Sequence, residues 1–129
     1  MISDLDISQI MRDMIRVIWN EKDVDQLGEF VHDDYTATSS NGRFLNGIAD
    51  LREDILETQQ DMQNMVLVVE DLVINYDGDK HFEVAMFLSG SFMRDDQARS
   101  LTAADLFILD MDGKVVERKH IVIQEAVVI

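Results

Sequence analysis

The residue whose type and surroundings best suit chemistry is Asp105. It lies in a predicted strand, where alternation places every second side chain on the same face. Its companions on that face are all apolar: Leu101, Ala103, Phe107 and Leu109. A carboxylate in such surroundings is unusual, because an isolated buried charge is costly. Asp105 is therefore the first candidate for an acid/base residue.

The next predicted strand supplies two groups that suit a carboxylate. One of its faces carries Val116, Arg118, His120, Val122 and Gln124. An acid, a guanidinium and an imidazole together could bind a small anionic or polar ligand. They could also transfer protons, with Asp105 orienting His120 and Arg118 binding the substrate. A nearby positive charge would keep Asp105 ionised at neutral pH.

Two alternatives stay open for these three residues. Asp105, Arg118 and His120 could form a buried ion-pair network that serves only the fold, since such networks also perturb pKa values. A one-residue β-bulge would swap the faces of the second strand and bring Lys119 inward instead. The strand register decides between the two faces.

Three further side chains are candidates for lining a pocket. Trp19 lies at the end of the first predicted helix, Tyr35 offers a hydroxyl group, and Met86 is flexible enough to adapt to varied ligands. Each has a simpler interpretation, because Trp19 and Met86 suit a core and Tyr35 suits a loop anchor.

Other kinds of site find little support in the sequence. The chain has no Cys, no Gly-x-Ser-x-Gly motif and no glycine-rich phosphate loop, so we expect neither nucleophilic catalysis nor a nucleotide cofactor. His32 stands beside Asp33 and Asp34, but no second His lies at ligand spacing. His81 follows an exposed turn and is expected to be solvated. We predict no metal and no cofactor.

Length and charge limit the class of protein. The chain has 129 residues, of which 47% are hydrophobic, and a formal net charge of −15. This size predicts one domain over residues 1–129, and the apolar fraction argues against disorder. The negative charge disfavours nucleic acid as a partner. No apolar run suits a membrane span, and the acidic N-terminus is unlike a signal peptide. We expect a cytoplasmic protein.

Helices precede strands along the chain. Ser3 and Asp6 resemble a capping box before a helix that runs from about 6 to 20. A short helix follows Asp23, and a third runs from 47 to about 62. A short extended piece, 35–39, is predicted between the second and third helices. Four longer extended segments follow the third helix: 65–75, 80–93, 99–110 and 114–128, and Asp112-Gly113 is predicted to turn the last hairpin. Glu70-Asp71 breaks the alternation of the first and indicates a bulge. This order predicts an α+β fold, with a strongly curved antiparallel sheet around the helices and a conical interior open at one end.

Two stretches carry a resemblance to a known superfamily. One runs from Trp19-Asn20 through Asp23 and Asp25 to Asp33-Asp34, and the other is Asp105-Leu-Phe-Ile-Leu-Asp-Met-Asp-Gly-Lys-Val-Val116. With the order of elements, they resemble the nuclear transport factor 2-like superfamily of cone-shaped α+β barrels over nearly the whole chain. That superfamily includes ketosteroid isomerases and SnoaL-like polyketide cyclases.

The resemblance implies a place for the polar residues but no ready-made reaction. Its hairpin register puts Arg118 and His120 on the concave face with Asp105, where an isomerase has the aspartic acid of its oxyanion hole. The general base of the isomerases falls at Ser39 or beside it, and their oxyanion tyrosine falls near Ile15. Neither side chain can do those tasks. Ile123 and Gln124 occupy the region of the catalytic aspartate of the cyclases: Ile123 offers no acid, and Gln124 only an amide.

Three functions follow from these residues. The first is a cofactor-independent enzyme of the isomerase or cyclase kind, acting on a small hydrophobic or acidic ligand. The second is a pocket that binds a small molecule without turnover, and the third is an assembly module whose cone is plugged by its own side chains. The apolar C-terminal run 121–129 would aggregate if exposed, so a homodimer through the β-sheet is expected.

Overall fold

The computed structural model describes residues 2–39, 42–78 and 80–129, the side chain of His120 excepted. Helix α1, Asp4–Met14, begins at the predicted capping box: the Asp6 backbone N–H donates to Ser3 Oγ (3.2 Å), and the Ser3 N–H donates to the Asp6 carboxylate (3.0 Å). Its buried stripe includes Ile7, Met11 and Met14. These hydrogen bonds satisfy amides that would otherwise lack a partner at the start of the helix.

The first helix changes its winding before it ends. Ile15–Asn20 is a π-helix, and the Glu21 N–H donates to the Arg16 carbonyl at 2.8 Å, five residues back. Beyond it, the Asn20 side chain pairs with the backbone of Leu67: its amide donates to the carbonyl at 2.9 Å, and its oxygen accepts from the N–H at 2.8 Å. The helix end is thereby fixed to a strand 47 residues further along the chain.

Two short helical turns and one long helix complete the helical part of the fold. Val24–Gln26 is a 3-10 turn that leads into α2, Leu27–Phe30. Helix α3 runs over Gly47–Asp61, as its sequence predicts, and Leu51 and Ile55 are its buried residues. The predicted second helix therefore exists, but as two short turns.

The sheet of the described residues has six strands: β1 Val31–Thr38, β2 Phe44–Asn46, β3 Gln63–Asp77, β4 His81–Arg94, β5 Gln97–Leu109 and β6 Val115–Val127. Their order is β2-β1-β6-β5-β4-β3. The last four strands form the predicted antiparallel meander. Strand β1 is longer than the predicted extended piece and pairs in parallel with β6, whereas β2 was not predicted.

Two register shifts bend the long strands. The pairing of β3 with β4 shifts between Val69 and Asp71, as the sequence predicts. The pairing of β5 with β6 shifts between Leu106 and Phe107: Phe107 pairs with Arg118, whereas Leu106 pairs with His120, so one strand residue is extra. Such bulges increase the local twist of a sheet.

The second shift corrects the predicted face of β6. Inner positions are taken by Val115, Arg118, Ile121, Ile123 and Glu125, which line the cavity described below. Of the predicted set, Arg118 keeps its place, while Val122 and Gln124 do not line the cavity. The alternation fails because the extra residue at Lys119 places Ile121 and the described side chains after it on the face opposite to the predicted one. Lys119 itself is exposed and does not turn inward.

The turn between β5 and β6 is built by two residues. Asp110 Oδ1 accepts the N–H groups of Asp112 (2.9 Å) and Lys114 (3.0 Å). Gly113 has φ +84°, and a Cβ there would lie 2.9 Å from Ile10 Cδ1. Only glycine combines this backbone conformation with such close packing against α1.

The helices pack on the concave face of the sheet. Core residues from both layers are almost fully buried: Ile7, Met11, Ile18, Phe82, Val84, Met86, Leu109 and Val115. The sheet is curved and does not close, so the predicted α+β fold with helices inside a curved sheet is confirmed. No helix in the described part of the chain is long and apolar enough to cross a membrane.

Candidate functional site

A cavity of about 530 Å³ lies between the helices and the concave face of the sheet. Its apolar wall comes from the π-helix, α3 and the strands, and includes Ile18, Trp19, Leu51, Ile55, Leu88 and Ile121. This volume is in the range of small-molecule pockets. The cone is therefore hollow and is not plugged by its own side chains.

Three polar residues form what we call the inner cluster: Tyr35 on β1, Asp105 on β5 and Arg118 on β6. All three line the cavity. Strands β1, β6 and β5 are adjacent in the sheet, and Ala37 of β1 pairs with Arg118. The parallel contact between β1 and β6 brings Tyr35 to the other two, although 70 residues of sequence separate Tyr35 from Asp105.

The burial of Tyr35 shows that this end of the cavity is shielded from water. Tyr35 is 1% exposed, and its burial raises the pKa of the hydroxyl to about 12. The Arg118 guanidinium lowers that pKa, and the carboxylates of Asp105 and Asp54 raise it. The hydroxyl consequently stays protonated at neutral pH and is available as a hydrogen-bond donor.

The guanidinium of Arg118 is incompletely satisfied. Its Nε is buried and makes no hydrogen bond within the part of the chain that the structure describes. A buried donor without an acceptor is rare and costly, and such atoms call for a structural or functional reason. Arg118 thus keeps hydrogen-bonding capacity at the inner end of a cavity.

Four acidic residues also line the cavity, and we call them the rim carboxylates: Asp54, which is 17% exposed, Glu57 and Asp61 of α3, and Glu125 of β6. The side chains of Glu57 and Asp61 are about 60% exposed. On α3 the three acids recur at i, i+3 and i+7, so they share one face of the helix. The cavity therefore passes from an acidic opening to the inner cluster.

Two arginines that do not line the cavity hold these carboxylates. Arg43 lies 3.1 Å from Asp54 Oδ1 and 3.5 Å from Glu57 Oε2. Arg94 lies 2.6 Å from both Asp61 Oδ2 and Glu125 Oε2, and its guanidinium stacks 5.1 Å from the Phe92 ring centre. Hydrogen bonds to these two carboxylates raise the pKa of Arg94 above its ordinary value.

Ser39 supports this arrangement. Its N–H donates to the Arg43 carbonyl (2.7 Å), and its Oγ accepts the Arg43 N–H (3.2 Å). The residue that stands where the resembling isomerases have a base is thus buried in a turn and does not line the cavity. It fixes the arginine that holds Asp54 and Glu57.

The structure brings together most of the residues proposed from the sequence. Asp105, Arg118, Tyr35 and Trp19 all line the cavity. Met86 does not: it is fully buried in the core on β4, where it pairs with Asp105.

His120 differs from the other candidates. The backbone of His120 pairs with Leu106, and Ile121 takes the position opposite Asp105. The side chain of His120 lies outside the described residues.

One group in the described part of the chain could hold a metal ion, and it lies away from the cavity. Asp77, His81 and Glu83 at the β3–β4 hairpin each offer a ligand atom within 4.8 Å of the others. His81 Nε2 lies 3.4 Å from Asp77 and 3.5 Å from Glu83. His81 is thus flanked by two carboxylates rather than simply solvated.

A curved sheet around N-terminal helices with a hollow cone is the architecture of the nuclear transport factor 2-like superfamily. The family model of the SnoaL-like domain matches residues 11–118. The chain belongs to this family, and the resemblance seen in the sequence is confirmed. A search of the curated proteins finds no match.

Solved structures share the fold at low sequence identity. The epoxide hydrolase/cyclase-like enzyme SalBIII, of pyran ring formation in the polyether salinomycin, matches with a TM-score of 0.81 and 20% identity over 99% of this chain and 100% of its own. A candidate SnoaL-like polyketide cyclase from Jannaschia sp. CCS1 matches with a TM-score of 0.69 and 18% identity, over 92% and 85%.

A third similar structure comes from Catenulispora acidiphila DSM 44928 and has a ketosteroid isomerase-like fold. It matches with a TM-score of 0.70 and 13% identity, over 86% of this chain and 82% of its own. Identities this low show a common fold, and the reaction must be argued from the cavity itself.

Proposed function

We propose that the chain is a cofactor-independent enzyme of the isomerase or cyclase type, which transfers a proton on an apolar, carbonyl-bearing small molecule. The observation that carries the proposal is the inner cluster, where Asp105, Arg118 and Tyr35 meet in a hollow and mostly apolar cavity. Proton transfer next to a carbonyl needs a base and hydrogen-bond donors for the developing charge on the oxygen, and the inner cluster offers both.

Each residue of the inner cluster has a distinct role in this reaction. Asp105 removes a proton from the carbon next to the carbonyl. The C–H electrons move into the carbonyl group, and the negative charge develops on its oxygen. Arg118 and the neutral Tyr35 hydroxyl stabilise that charge by donating hydrogen bonds, which are strong in a dry site. Return of the proton to another carbon isomerises the molecule, and attack of the carbanion on a second carbonyl closes a ring.

The predicted second acid/base residue is His120. Its backbone pairs with Leu106, whereas Ile121 stands opposite Asp105, so the return of the proton is assigned to Asp105 itself. Trp19, which lines the apolar wall, would bind the ring system of the substrate.

The comparisons support the class of reaction without naming the substrate. SalBIII is called an epoxide hydrolase/cyclase-like enzyme, and another similar structure is a candidate polyketide cyclase. Both descriptions concern small oxygen-bearing molecules. The cavity of about 530 Å³ is large enough for such a ligand.

The test uses 2-tetralone, an apolar bicyclic ketone, in D₂O. Exchange of its α-protons, followed by proton NMR, should be faster with the protein than in buffer. In Asp105→Asn the exchange should fall by about 10²- to 10⁴-fold, the usual contribution of a positioned base. Thermal stability of this variant should hold or rise, because a strained site has been relaxed.

Two results would contradict catalysis. If 2-tetralone binds but its exchange is not accelerated, the cavity is a non-catalytic binding site. If Asp105→Asn instead costs about 3 kcal/mol of stability, as expected when Arg118 is left buried and unpaired, the inner cluster is a structural ion-pair network.

We also propose that the outer face of the sheet pairs with a second copy of the chain. Phe87, Ala104 and Val122 form one row across β4, β5 and β6, with Phe87 44% and Val122 42% exposed. Val73 on β3 extends this apolar surface and is 54% exposed. A monomer seldom leaves a continuous apolar surface of this kind in water.

Sedimentation velocity at micromolar concentration should show a dimer. Phe87→Glu should shift it toward the monomer, because each copy would bring a charge into the apolar contact. The matched control is Leu5→Glu, since Leu5 is 83% exposed on α1, away from the sheet. A wild-type protein that sediments as a monomer would overturn the proposal.

A further inference from the structure

We infer that Gln59 of α3 is a positioning residue of the cavity, because it holds the π-helical turn that carries Trp19 in the wall. The inference rests on the proposed function, in which Trp19 binds the ring system of the substrate. It adds the residue on which the place of Trp19 depends. Its basis is the way in which side chains of two neighbouring elements hold the end of the π-helix.

The π-helix Ile15–Asn20 forms one part of the cavity wall. Three of its six residues line the cavity: Ile15, Ile18 and Trp19. Hydrogen bonds that span five residues instead of four widen each turn, so they change the direction in which every following side chain points. The winding therefore decides where the indole ring of Trp19 meets the cavity. Such turns are frequent at functional sites.

The carbonyl of Ile18 lies near the end of the π-helix, where the backbone pattern breaks. In a π-helix that continued, the N–H of Asp23 would donate to this carbonyl, five residues back. That N–H donates instead to the carbonyl of Val17 at 3.0 Å, and the chain leaves the helix at Lys22, where φ is +60°. Ile18 is 1% exposed, and a buried carbonyl needs a donor.

Gln59 supplies this donor from α3. Its side-chain amide donates to the Ile18 carbonyl at 3.1 Å, although 41 residues of sequence separate the two. Gln59 itself does not line the cavity, whereas its neighbour Thr58 does. It therefore acts on a ligand only through the π-helix, which makes it a positioning residue and not a catalytic one.

Asn20 holds the turn from the other side. Its side chain pairs with both backbone groups of Leu67 on β3, at 2.9 and 2.8 Å. The backbone of Ile18 is thus tied to α3 and the side chain of Asn20 to the sheet, and Trp19 is the residue between them. Two fixed neighbours leave the backbone of Trp19 little freedom, so its indole ring keeps one place in the wall.

Gln59→Met is the main test, since methionine has nearly the length of glutamine but donates no hydrogen bond. In the exchange of 2-tetralone in D₂O, KM should rise about three- to tenfold, the usual effect of losing one hydrogen bond. The kcat should stay within about twofold, because Asp105 and Arg118 keep their places. The fluorescence of Trp19, the single tryptophan, should shift to longer wavelength as the indole ring becomes more exposed to water.

Two further variants separate a positioning role from a general loss of stability. Gln59→Glu keeps the shape of the side chain but presents a carboxylate, which cannot donate a hydrogen bond, so it should have the same effects. Gln60→Met is the matched control, since Gln60 is the next residue of α3, is exposed and does not line the cavity. It should leave KM and the Trp19 emission as in the wild type.

The possible failures are distinguishable. If KM and the Trp19 emission stay at the wild-type values in both Gln59 variants, even where these melt at a lower temperature, Gln59 serves only the fold and the inference is overturned. If kcat falls as far as kcat/KM, Gln59 acts on the inner cluster and the inference is likewise wrong. If the wild type does not accelerate the exchange, the proposed function fails. The inference is then decided by the Trp19 emission and by the affinity for 2-tetralone from quenching, which should still fall in both Gln59 variants.

Discussion

Arg94 and Arg118 show how differently one residue type is used at the two ends of the cavity. Arg94 lies 2.6 Å from each of two carboxylates, stacks on Phe92 and is 24% exposed. Arg118 lies at the inner end, and its Nε is buried without a hydrogen bond in the described residues. The first arginine is fully used by the protein, and the second is not.

The difference distinguishes an arginine that stabilises the fold from one that can bind a ligand. An arginine whose donors are satisfied by its own chain lowers the energy of the fold and leaves little for a ligand. A buried donor that the chain leaves unsatisfied costs stability, and proteins retain such costs mainly where function requires them. Three experiments test this distinction.

Arg118→Met should have the largest effect. Methionine keeps much of the apolar volume of the side chain but removes the donors that stabilise the developing oxygen charge. The exchange of 2-tetralone should slow by about 10²- to 10³-fold, the usual cost of losing one such donor. Proton NMR measures the rate, with Arg94→Met as the comparison, which should stay within about twofold of the wild type. Equal losses in both variants would abolish the distinction.

Tyr35→Phe tests whether the inner cluster is shielded from water, through the pH dependence of the free energy of unfolding. Because the pKa of Tyr35 is raised from 10.0 to about 12, the unfolded chain releases this proton first. The folded state binds more protons between these values, so this contribution to stability is complete below pH 10 and is lost as the pH rises through 12. The loss reaches about 2 to 3 kcal/mol.

Urea unfolding between pH 10 and pH 12 measures this effect. Tyr35→Phe should flatten the alkaline decline in the free energy of unfolding relative to the wild type. Tyr76→Phe is the matched control, since Tyr76 is exposed near the far hairpin. Identical slopes in Tyr35→Phe and the wild type would show that Tyr35 is not in a dry environment.

Arg94→Met should have the smallest effect, and on stability alone. The two ion pairs of Arg94 are partly exposed to water, so their loss should cost about 1 kcal/mol in urea unfolding at low salt. The cost should shrink as salt screens the charges. Arg12→Met, on the exposed side of α1, should cost less. A salt-independent loss would mean that packing on Phe92 matters more than charge.

Much of the fold could be predicted because its signals are local. The capping box at Ser3, the bulge near Glu70 and the hairpin at Asp112-Gly113 each depend on a few neighbouring residues. The π-helical turn before Asn20 and the pairing of β1 with β6 depend instead on distant partners. A single sequence carries no short-range pattern for such contacts.

The site, like the fold, could be predicted where its signals are local. Asp105 stood out because it interrupts an apolar face, and Arg118 kept its predicted place because it precedes the bulge in β6. Beyond Lys119, alternation failed, since the extra residue is set by the pairing with β5 and not by local sequence. The rim carboxylates were missed, although the spacing of Asp54, Glu57 and Asp61 along α3 could have revealed them.

The side-chain amide of Asn20 does what a neighbouring strand would do. Strand β3 is the last in the order of strands, so its outer backbone groups have no strand beside them among the described residues. By pairing with both the N–H and the carbonyl of Leu67, Asn20 occupies the hydrogen-bonding sites through which another polypeptide would add to the sheet. One amide thereby protects a valine-rich edge from templating aggregation.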